Sequence, residues 1–295
     1  MHRRHFIAGV IGVLLVLVAG APQIARAETK HCLWRASSGA NHVYLQGSVH
    51  LLKKSHYPLP DALEDAYASS AVLVLEADLS AAQDPAQQMV LMKKGMLEGS
   101  ATLQGLLSDE TWAMAEKQMV EMGMNIALFN AFKPWYFATS IAALQLQTLG
   151  FSPFDGIDWY FFNRAKADGK PVVGLETLDY QRGLFDAIGK GDQDALVRHT
   201  LEDIANIDEE MDAILKAWSA GDLEAMDETL LKSFKEYPVV YKSLVTNRNH
   251  NWVPKIMEYL NSGKVHMIVV GAGHFSGKEG LLQLLKKKGL LLKQL

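Results

Sequence analysis

Two histidines in this chain follow β-strand patterns and are preceded by glycine in the same way. His50 ends the stretch Gly47-Ser48-Val49-His50, and His274 ends the stretch Gly271-Ala272-Gly273-His274. In both cases a run of apolar, largely β-branched residues comes first, which is typical of a buried strand. Glycine allows a positive φ or a close backbone approach, so each imidazole can point away from the end of its strand. Two copies at opposite ends of the chain predict that both histidines belong to one site.

Two glutamates end apolar stretches that also predict strands. Glu76 follows the run 71–75, and Glu176 follows the run 172–175. Functional sites in open α/β sheets lie at the carboxyl ends of strands, so we expect these acids to approach the two histidines. Imidazole and carboxylate groups together bind ions such as Mn, Co, Zn or Fe, and a bound ion can activate water for hydrolysis. The alternative is that the acids cap helices and the histidines bind buried carbonyl groups. That alternative is favoured for any one residue alone, whereas the paired histidines favour function.

A polar stretch and a helix start add further candidates. Arg248 lies among amide side chains just before a predicted helix, and it can bind a substrate carboxylate or an oxyanion. An ion pair with Glu176 is the open alternative for this arginine. Asp155 and Asp158 flank a predicted helix start, where capping is the alternative for at least one of them. No Gly-x-Ser-x-Gly motif and no complete dinucleotide-binding loop accompany these residues, which disfavours a serine hydrolase and a nucleotide cofactor.

These motifs together resemble the TraB/GumN family. The matching residues occur in the family's order along nearly the whole of residues 28–295, and they are Leu33-Trp34, Gly47-Ser48-Val49-His50-Leu51-Leu52, Val74-Leu75-Glu76, Gly156-Ile157-Asp158, Gly174-Leu175-Glu176-Thr177, Arg248-Asn249 and Gly271-Ala272-Gly273-His274-Phe275-Ser276-Gly277. Phe275 stands where many family members have leucine, which is a mild departure.

The resemblance implies an activity and a set of site residues. The family includes Tiki-type metal-dependent proteases, whose active site is taken to be the two Gly-x-x-His histidines and a glutamate after the first motif. Here these residues are His50, His274 and Glu76, which are predicted to bind a divalent metal (Mn, Co, Zn or Fe) and to act in catalysis with Arg248. The substrate is predicted to contact three further residues of the shared motifs: Glu176, Asp158 and Asn249.

Two hypotheses of different classes follow from these residues. The first is an exported, divalent-metal-dependent hydrolase that acts as a peptidase, with a peptide or a small molecule as substrate. The second is a non-catalytic periplasmic binding or accessory protein on the same fold, with a peptide, a polysaccharide or a haem-like compound as ligand. Turnover of peptides that depends on stoichiometric metal favours the first, and ligand binding that a chelator leaves unchanged favours the second.

The N-terminus predicts export. Residues 1–27 combine a basic start, an apolar run over 6–19 and the small-residue pattern Ala25-Arg26-Ala27, which is typical of a cleaved signal peptide. The apolar run is shorter than the ~20 residues of a membrane span, although an uncleaved anchor is the alternative. We therefore expect a periplasmic or secreted protein that begins at Glu28 and has no stable membrane span after cleavage.

Charge and cysteine content exclude other classes. The formal net charge is −4, and it becomes −7 without the three arginines of residues 1–27. A mildly acidic protein lacks the basic surface that nucleic-acid binding requires, so no nucleic-acid partner is expected. Cys32 is the only cysteine, so the chain forms no internal disulfide despite its predicted export.

The order of predicted elements indicates an α/β fold. Strands 33–38 and 42–50 form a hairpin, a helix through about Ser69 follows, and strand 71–78 completes a crossover of the βαβ type. We predict one domain over 28–295, with a central mixed β-sheet flanked by helices. A large helical insertion, roughly 81–169 and 180–262, separates the N- and C-terminal sheet-forming segments.

Overall fold

The fold is organised around a six-stranded β-sheet whose strands come from both ends of the chain. A computed structural model describes residues 30–82, 84–188, 191–234 and 238–295, so the predicted signal peptide lies outside the described residues. The strands are β1 (Leu33–Ser38), β2 (Asn41–Ser48), β3 (Val72–Leu75), β4 (Val172–Gly174), β5 (His266–Gly271) and β6 (Leu291–Gln294). Their order across the sheet is β4-β3-β5-β2-β1-β6.

The sheet is mixed, and the predicted α/β class is confirmed. β2, β5, β3 and β4 run parallel to one another, whereas β1 is antiparallel to both β2 and β6. Every residue of β3 and β5 is buried, as expected for valine-, isoleucine- and leucine-rich parallel strands with both faces covered. β2 and β3 are parallel, as the predicted crossover requires, but β5 lies between them.

The insertion of β5 brings the two glycine–histidine motifs together. Gly47 of β2 lies opposite Val270 of β5, and Ser48 lies opposite Gly271. Both strands therefore end at the same edge of the sheet. Because β3 also runs parallel to β5, its carboxyl end lies at that edge too. The pairing of β2 with β5 thus brings together two motifs that are more than two hundred residues apart in sequence.

Fourteen helices within the described residues surround and extend the sheet. They are α1 (Asp61–Ala68), α2 (Leu79–Ala82), α3 (Pro85–Gly95), α4 (Leu103–Leu106), α5 (Asp109–Glu121), α6 (Pro134–Thr148), α7 (Ile157–Asp168), α8 (Leu178–Ile188), α9 (Gln193–Ile204), α10 (Ile207–Ser219), α11 (Leu223–Phe234), α12 (Pro238–Tyr241), α13 (Asn247–Leu260) and α14 (Leu281–Lys287). Nowhere in these described stretches is a helix both long and apolar enough to cross a membrane.

The buried apolar side chains form two separate cores. The larger core covers the sheet, and it includes α1, α7, α13 and α14. The smaller core joins α4, α5, α6 and α9, with Phe137, Ile141 and Leu201 among its buried members. These four helices fall inside the stretches predicted as a helical insertion. The boundaries of that insertion as a structural unit stay a prediction.

The start of α13 differs from the sequence-based expectation. Arg248 and Asn249 were expected just before a helix, but they lie inside α13, which continues directly from a π-helical turn over Lys242–Thr246. Asparagine-rich stretches have modest helix propensity, so the pattern indicates a loop. Both side chains are buried here, and their tertiary contacts stabilise the helical conformation. Such π-helical turns often occur near functional sites.

Candidate active site

Three predicted residues meet at the carboxyl edge of the sheet. His50 follows β2, Glu76 follows β3, and His274 follows β5 in a short 3₁₀ turn. The Nε2 atom of His50 lies 3.8 Å from Oε1 of Glu76, and the Nε2 atom of His274 lies 3.9 Å from the same oxygen. The structure therefore brings both imidazoles to one carboxylate, although they are 224 residues apart in sequence.

Glu76 is held in one orientation by a guanidinium and a backbone amide. Nη2 of Arg248 bonds to Oε2 of Glu76, and the N–H of Gly271 donates to Oε1 at 2.8 Å. Burial raises the pKa of Glu76, but the Arg248 guanidinium, the two imidazoles and the Gly271 amide together outweigh burial and lower the pKa to about 2. Glu76 is therefore a carboxylate at neutral pH, which is the form that binds a cation.

Arg248 is committed to contacts within the protein. Its Nε and Nη2 atoms bond to the Glu176 carboxylate at 3.0 and 2.7 Å, and its Nη1 atom donates to the Leu244 carbonyl at 3.0 Å. The guanidinium also packs 4.6 Å from the Trp252 ring. The ion pair with Glu176 is therefore the observed alternative. The predicted role as a clamp for a substrate carboxylate or an oxyanion stays a prediction, and in this arrangement the donors of Arg248 are buried and occupied.

His274 is a neutral imidazole whose proton position follows from Asn249. The Nδ2 atom of Asn249 donates to the carbonyls of His274 and Glu279, at 3.1 and 2.8 Å. Its Oδ1 atom must then accept from Nδ1 of His274 at 2.7 Å, which leaves a lone pair on Nε2 of His274. Burial lowers the pKa of His274 to about 3, so the ring stays neutral. Nη1 of Arg248 donates to that lone pair at 3.1 Å.

His50 lies at the mouth of the site, where its side chain is 51% exposed. Its Nδ1 atom is 3.3 Å from Oδ1 of Asp158, and the hydroxyl of Ser48 donates to the same oxygen at 2.9 Å. Although half of the side chain is exposed, the protein packed around the ring lowers the pKa of His50. The Asp158 and Glu76 carboxylates together outweigh this effect and raise the pKa to about 9. Asp158 lies in the first turn of α7, where it makes no capping bond. The capping alternative is therefore not observed for Asp158, which positions His50 instead.

Two glycines allow these segments to approach each other. A Cβ atom on Gly156 would lie 2.3 Å from the carbonyl oxygen of His50, so no other residue fits without moving the backbone. A Cβ atom on Gly271 would lie 3.1 Å from Nε2 of His50 and 3.3 Å from Oε1 of Glu76. The glycine of the second motif thus leaves room for the two side chains contributed by the neighbouring strands.

A cavity of about 200 Å³ opens beside this cluster. Its polar lining consists of His50, Glu76, Asp158 and Gln181, and its apolar lining includes Leu79. The side-chain amide of Gln181 donates to Oε2 of Glu76 at 3.3 Å. Gln181 was missed in the sequence, where the only signal is its place in the first turns of the helix after Glu176, at the same edge of the sheet.

Two residues predicted to contact the substrate lie behind the cavity wall. Asn249 has no exposed surface, and the Glu176 side chain is only 7% exposed. Glu176 also accepts from the Trp252 indole at 2.9 Å. The substrate-contact prediction stays a prediction, and in this structure neither residue lines the cavity. Glu176 contacts Arg248 and Asn249 contacts His274, so both hold buried groups that lie against Glu76.

The donors of the predicted metal site approach one another in pairs around Glu76. Within residues 30–82, 84–188, 191–234 and 238–295, no three histidine, cysteine or acidic side chains already form a group arranged to hold one ion. Two donors that share an ion with bonds of about 2 Å must lie within about 4 Å of each other. The 3.8 and 3.9 Å separations from Glu76 to the two imidazoles meet that limit.

The net charge of the site and the tautomers of its two histidines also fit a divalent ion. With both imidazoles neutral, three carboxylates (Glu76, Asp158 and Glu176) face one guanidinium, which leaves two negative charges to balance. Each imidazole nitrogen that does not face Glu76 bonds to an amide or carboxylate, as is usual for metal-binding histidines. Metal binding would require Nε2 of His274 to leave Arg248, and His50 to lose a proton.

Comparison with known proteins agrees with the motifs. The sequence model of the TraB/PrgY/gumN family matches residues 32–294. Proteins named YbaP, described as uncharacterized, are similar in Escherichia coli (strain K12) and in Shigella flexneri. Each is 28% identical over 261 residues, which covers 87% of this chain and 94% of the relative. No solved structure matches the chain significantly. Because the family match covers nearly all of the residues that form the sheet and the site, the chain belongs to the TraB/PrgY/gumN family.

Proposed function

We propose that this protein is an exported hydrolase that uses a divalent metal ion to cleave peptides. One observation carries the proposal: His50 and His274 approach the same fixed carboxylate, Glu76, at the wall of a cavity that also contains Asp158. The preference for peptides rests on the resemblance to Tiki-type proteases, and the preference for export rests on residues 1–27.

His50, Glu76 and His274 would hold the metal ion. When bound, the ion supplies a Lewis acid that lowers the pKa of water and polarises the scissile carbonyl group. Each ligand has its own support: Asp158 for His50, Arg248 and the Gly271 amide for Glu76, and Asn249 for His274. Such partners orient ligands and raise their affinity.

The remaining residues that line the cavity move a proton and bind the substrate. Asp158 is beside His50 at the cavity wall, where it accepts the proton of the attacking water. Leu79 and the other apolar lining residues exclude bulk water from the reacting bond.

Gln181 binds the oxygen of the scissile carbonyl. One N–H of its amide is directed to Glu76, and its place in the cavity lining leaves the second N–H for the substrate. We expect Gln181→Leu to lower kcat by about 10²-fold, as for loss of one oxyanion donor, while metal content stays unchanged. Unchanged kcat in the variant would remove Gln181 from the mechanism.

A non-catalytic binding protein is the second candidate. It is favoured by the contact between Arg248 and the lone pair of His274, because that contact satisfies the site without a metal. Under this hypothesis the cavity binds a ligand, and a chelator does not change its affinity.

Metal analysis followed by a peptide-cleavage assay distinguishes the metal-dependent peptidase from the non-catalytic binding protein. The protein is purified without a histidine tag, its bound metals are measured, and a peptide library is digested with and without chelator. We expect about one ion per chain and cleavage that stops with chelator and returns when metal is added. Cleavage that chelator leaves unchanged would contradict the metal, and failure to cleave any peptide in the metal-loaded protein would contradict the peptidase.

A further inference from the structure

A second and larger cavity lies next to the candidate active site. Its volume is about 480 Å³. The aromatic residues Tyr57, Phe154 and Tyr160 form its walls, and Lys54, Asn163 and Arg164 lie around it. This volume is in the range of sites that bind small molecules or large side chains. None of these residues belongs to the cluster around Glu76.

Aromatic rings form much of the wall of this cavity. The hydroxyl of Tyr57 donates to the Asp155 carbonyl, and the hydroxyl of Tyr160 donates to the Glu64 carboxylate, both at 2.6 Å. The two rings lie 5.1 Å apart and are inclined at 38°. Because both hydroxyl groups are bonded within the protein, these two tyrosines offer a ligand mainly the apolar surface of their rings. Such tilted ring faces accept another aromatic ring in an offset or edge-on position.

Phe154 completes the aromatic wall and is 67% exposed. It is held there by a short 3₁₀ turn over Pro153–Asp155, in which the Ser152 hydroxyl accepts from the N–H of Phe154 at 3.2 Å. Trp159 supports the ring from one side, with centroids 5.6 Å apart. A large apolar side chain fixed in solvent beside a cavity is a feature of ligand-binding surfaces.

Two segments of the chain, 50–57 and 154–164, contribute residues to both cavities. Gly156 touches the carbonyl oxygen of His50, and the adjacent N–H of Ile157 donates to the Val49 carbonyl at 3.2 Å. Asp155, immediately before Gly156, lines the aromatic cavity, whereas Asp158, two residues after it, lines the catalytic cavity. Asp155 and Asp158 are three residues apart in the chain, so their Cα atoms lie within about 11 Å of each other. An extended peptide advances ~3.3–3.6 Å per residue and covers that distance in about three to four residues.

We propose that the aromatic cavity is a subsite that receives an aromatic side chain of the polypeptide substrate, a few residues from the scissile bond. This inference rests on the proposed peptidase function. The ring faces supply the selectivity, and the charge of Arg164 is already paired with Glu64. The subsite therefore favours phenylalanine or tyrosine over small residues.

Phe154→Ala tests the subsite without disturbing a packed core, because Phe154 is mostly exposed. Leu128→Ala is the matched control, since Leu128 is 65% exposed and belongs to the helical turn Ile126–Phe129 elsewhere in the chain. Two peptides are compared that differ only in phenylalanine or alanine at the position where the library shows aromatic selectivity. We expect the ratio of kcat/KM for the two peptides to fall about tenfold in Phe154→Ala, since loss of one ring contact changes binding by about this factor. The control should keep the wild-type ratio.

A binding measurement separates the subsite from the proposed activity. N-acetyl-phenylalanine amide is titrated into wild type and Phe154→Ala, with line broadening in the NMR spectrum of the probe as readout. Binding to wild type that is lost in Phe154→Ala supports the subsite, even if no peptide is cleaved. The proposal is overturned if the probe binds both proteins equally or binds neither. Equal loss of kcat/KM for both peptides would also overturn it.

Discussion

At the scale of single residues, the site is a set of reactive groups that are each fixed by one partner. Asp158 fixes His50, Arg248 fixes Glu76, and Asn249 fixes His274. Only His50, Glu76 and Asp158 among these line the cavity. The buried Arg248 and Asn249 therefore set the position and the charge of the site. The groups that line the cavity are the ones that can contact a substrate.

Asn249→Ala should weaken metal binding without unfolding α13. The change removes the bond that keeps the Nδ1 proton of His274 in place, and loss of such a partner typically costs about 10–100-fold in metal affinity or activity. Asn251→Ala is the matched control, because Asn251 is an exposed amide on the same helix. Calorimetric titration with metal measures the effect. Equal metal affinities in Asn249→Ala and Asn251→Ala would show that metal binding does not require a fixed tautomer of His274.

A repeated motif made it possible to predict the two histidines from the sequence. The roles of Arg248 and Gln181 depend on tertiary contacts, which the sequence does not show. The duplicated Gly-x-x-His pattern indicates that His50 and His274 meet, since chance rarely places it twice after strands. Arg248 carries the charge expected of a substrate clamp, and the sequence left an ion pair with Glu176 as the alternative. Nothing in its neighbourhood indicates that Glu76 bonds to the same guanidinium. Gln181 has no motif at all. Its position depends on the angle at which α8 leaves the sheet, which no local pattern encodes.

At the scale of elements, the decisive feature is β5, which enters the sheet between β2 and β3. The sequence predicts each of these strands, because their apolar runs are long and end at glycine or acidic residues. It does not predict their order, since strand pairing across some two hundred residues depends on the packing of the entire sheet. The same limit applies to the start of α13, where burial of Arg248 and Asn249 overrides weak local propensity.

Gly156→Ala should damage both the fold and the site. The new methyl group would meet the His50 carbonyl at 2.3 Å, so the segment that carries His50 must shift. Overpacking of this kind costs about 1–3 kcal/mol in the free energy of unfolding. A displacement of about 1 Å at a reacting group can lower kcat by about 10²-fold.

Gly183→Ala is the matched control for that substitution. Gly183 lies inside α8, and no atom is within 4 Å of its added methyl group. Alanine should stabilise this helix by up to about 1 kcal/mol, because glycine has the lower helix propensity. Urea unfolding and peptide cleavage are measured on both variants. Wild-type stability in Gly156→Ala would contradict the close packing described for this turn.

At the scale of the whole molecule, the sheet and its core carry the site, and the smaller core lies entirely among helices. The β2–β5 pair and the segment after β3 supply the candidate ligands, while the helix α7 supplies Asp158 and two walls of the aromatic cavity. The proposed chemistry and the proposed selectivity therefore each use residues of one helix, α7.

Export is the prediction that belongs to the complete chain. Residues 1–27 have the basic start, apolar run and small-residue pattern of a cleaved signal. We expect cell fractionation to place the protein outside the cytoplasm, and we expect mass spectrometry to find Glu28 at its N-terminus. Intact protein that begins at Met1 in the cytoplasm would contradict export.

The central claim is that Glu76 is a functional carboxylate and not a structural one. Glu176 is the matched comparison, because both acids bond to the same guanidinium but only Glu76 lines the cavity. The most direct measurement is kcat for peptide cleavage by Glu76→Gln and Glu176→Gln, with bound metal and melting temperature determined on the same samples.

We predict that Glu76→Gln stays folded, loses metal and loses more than about 10²-fold in kcat, because it removes a ligand. Glu176→Gln should mainly lower the melting temperature, since it leaves part of a buried ion pair without its partner. A folded Glu76→Gln protein that keeps wild-type metal content and kcat would contradict the account.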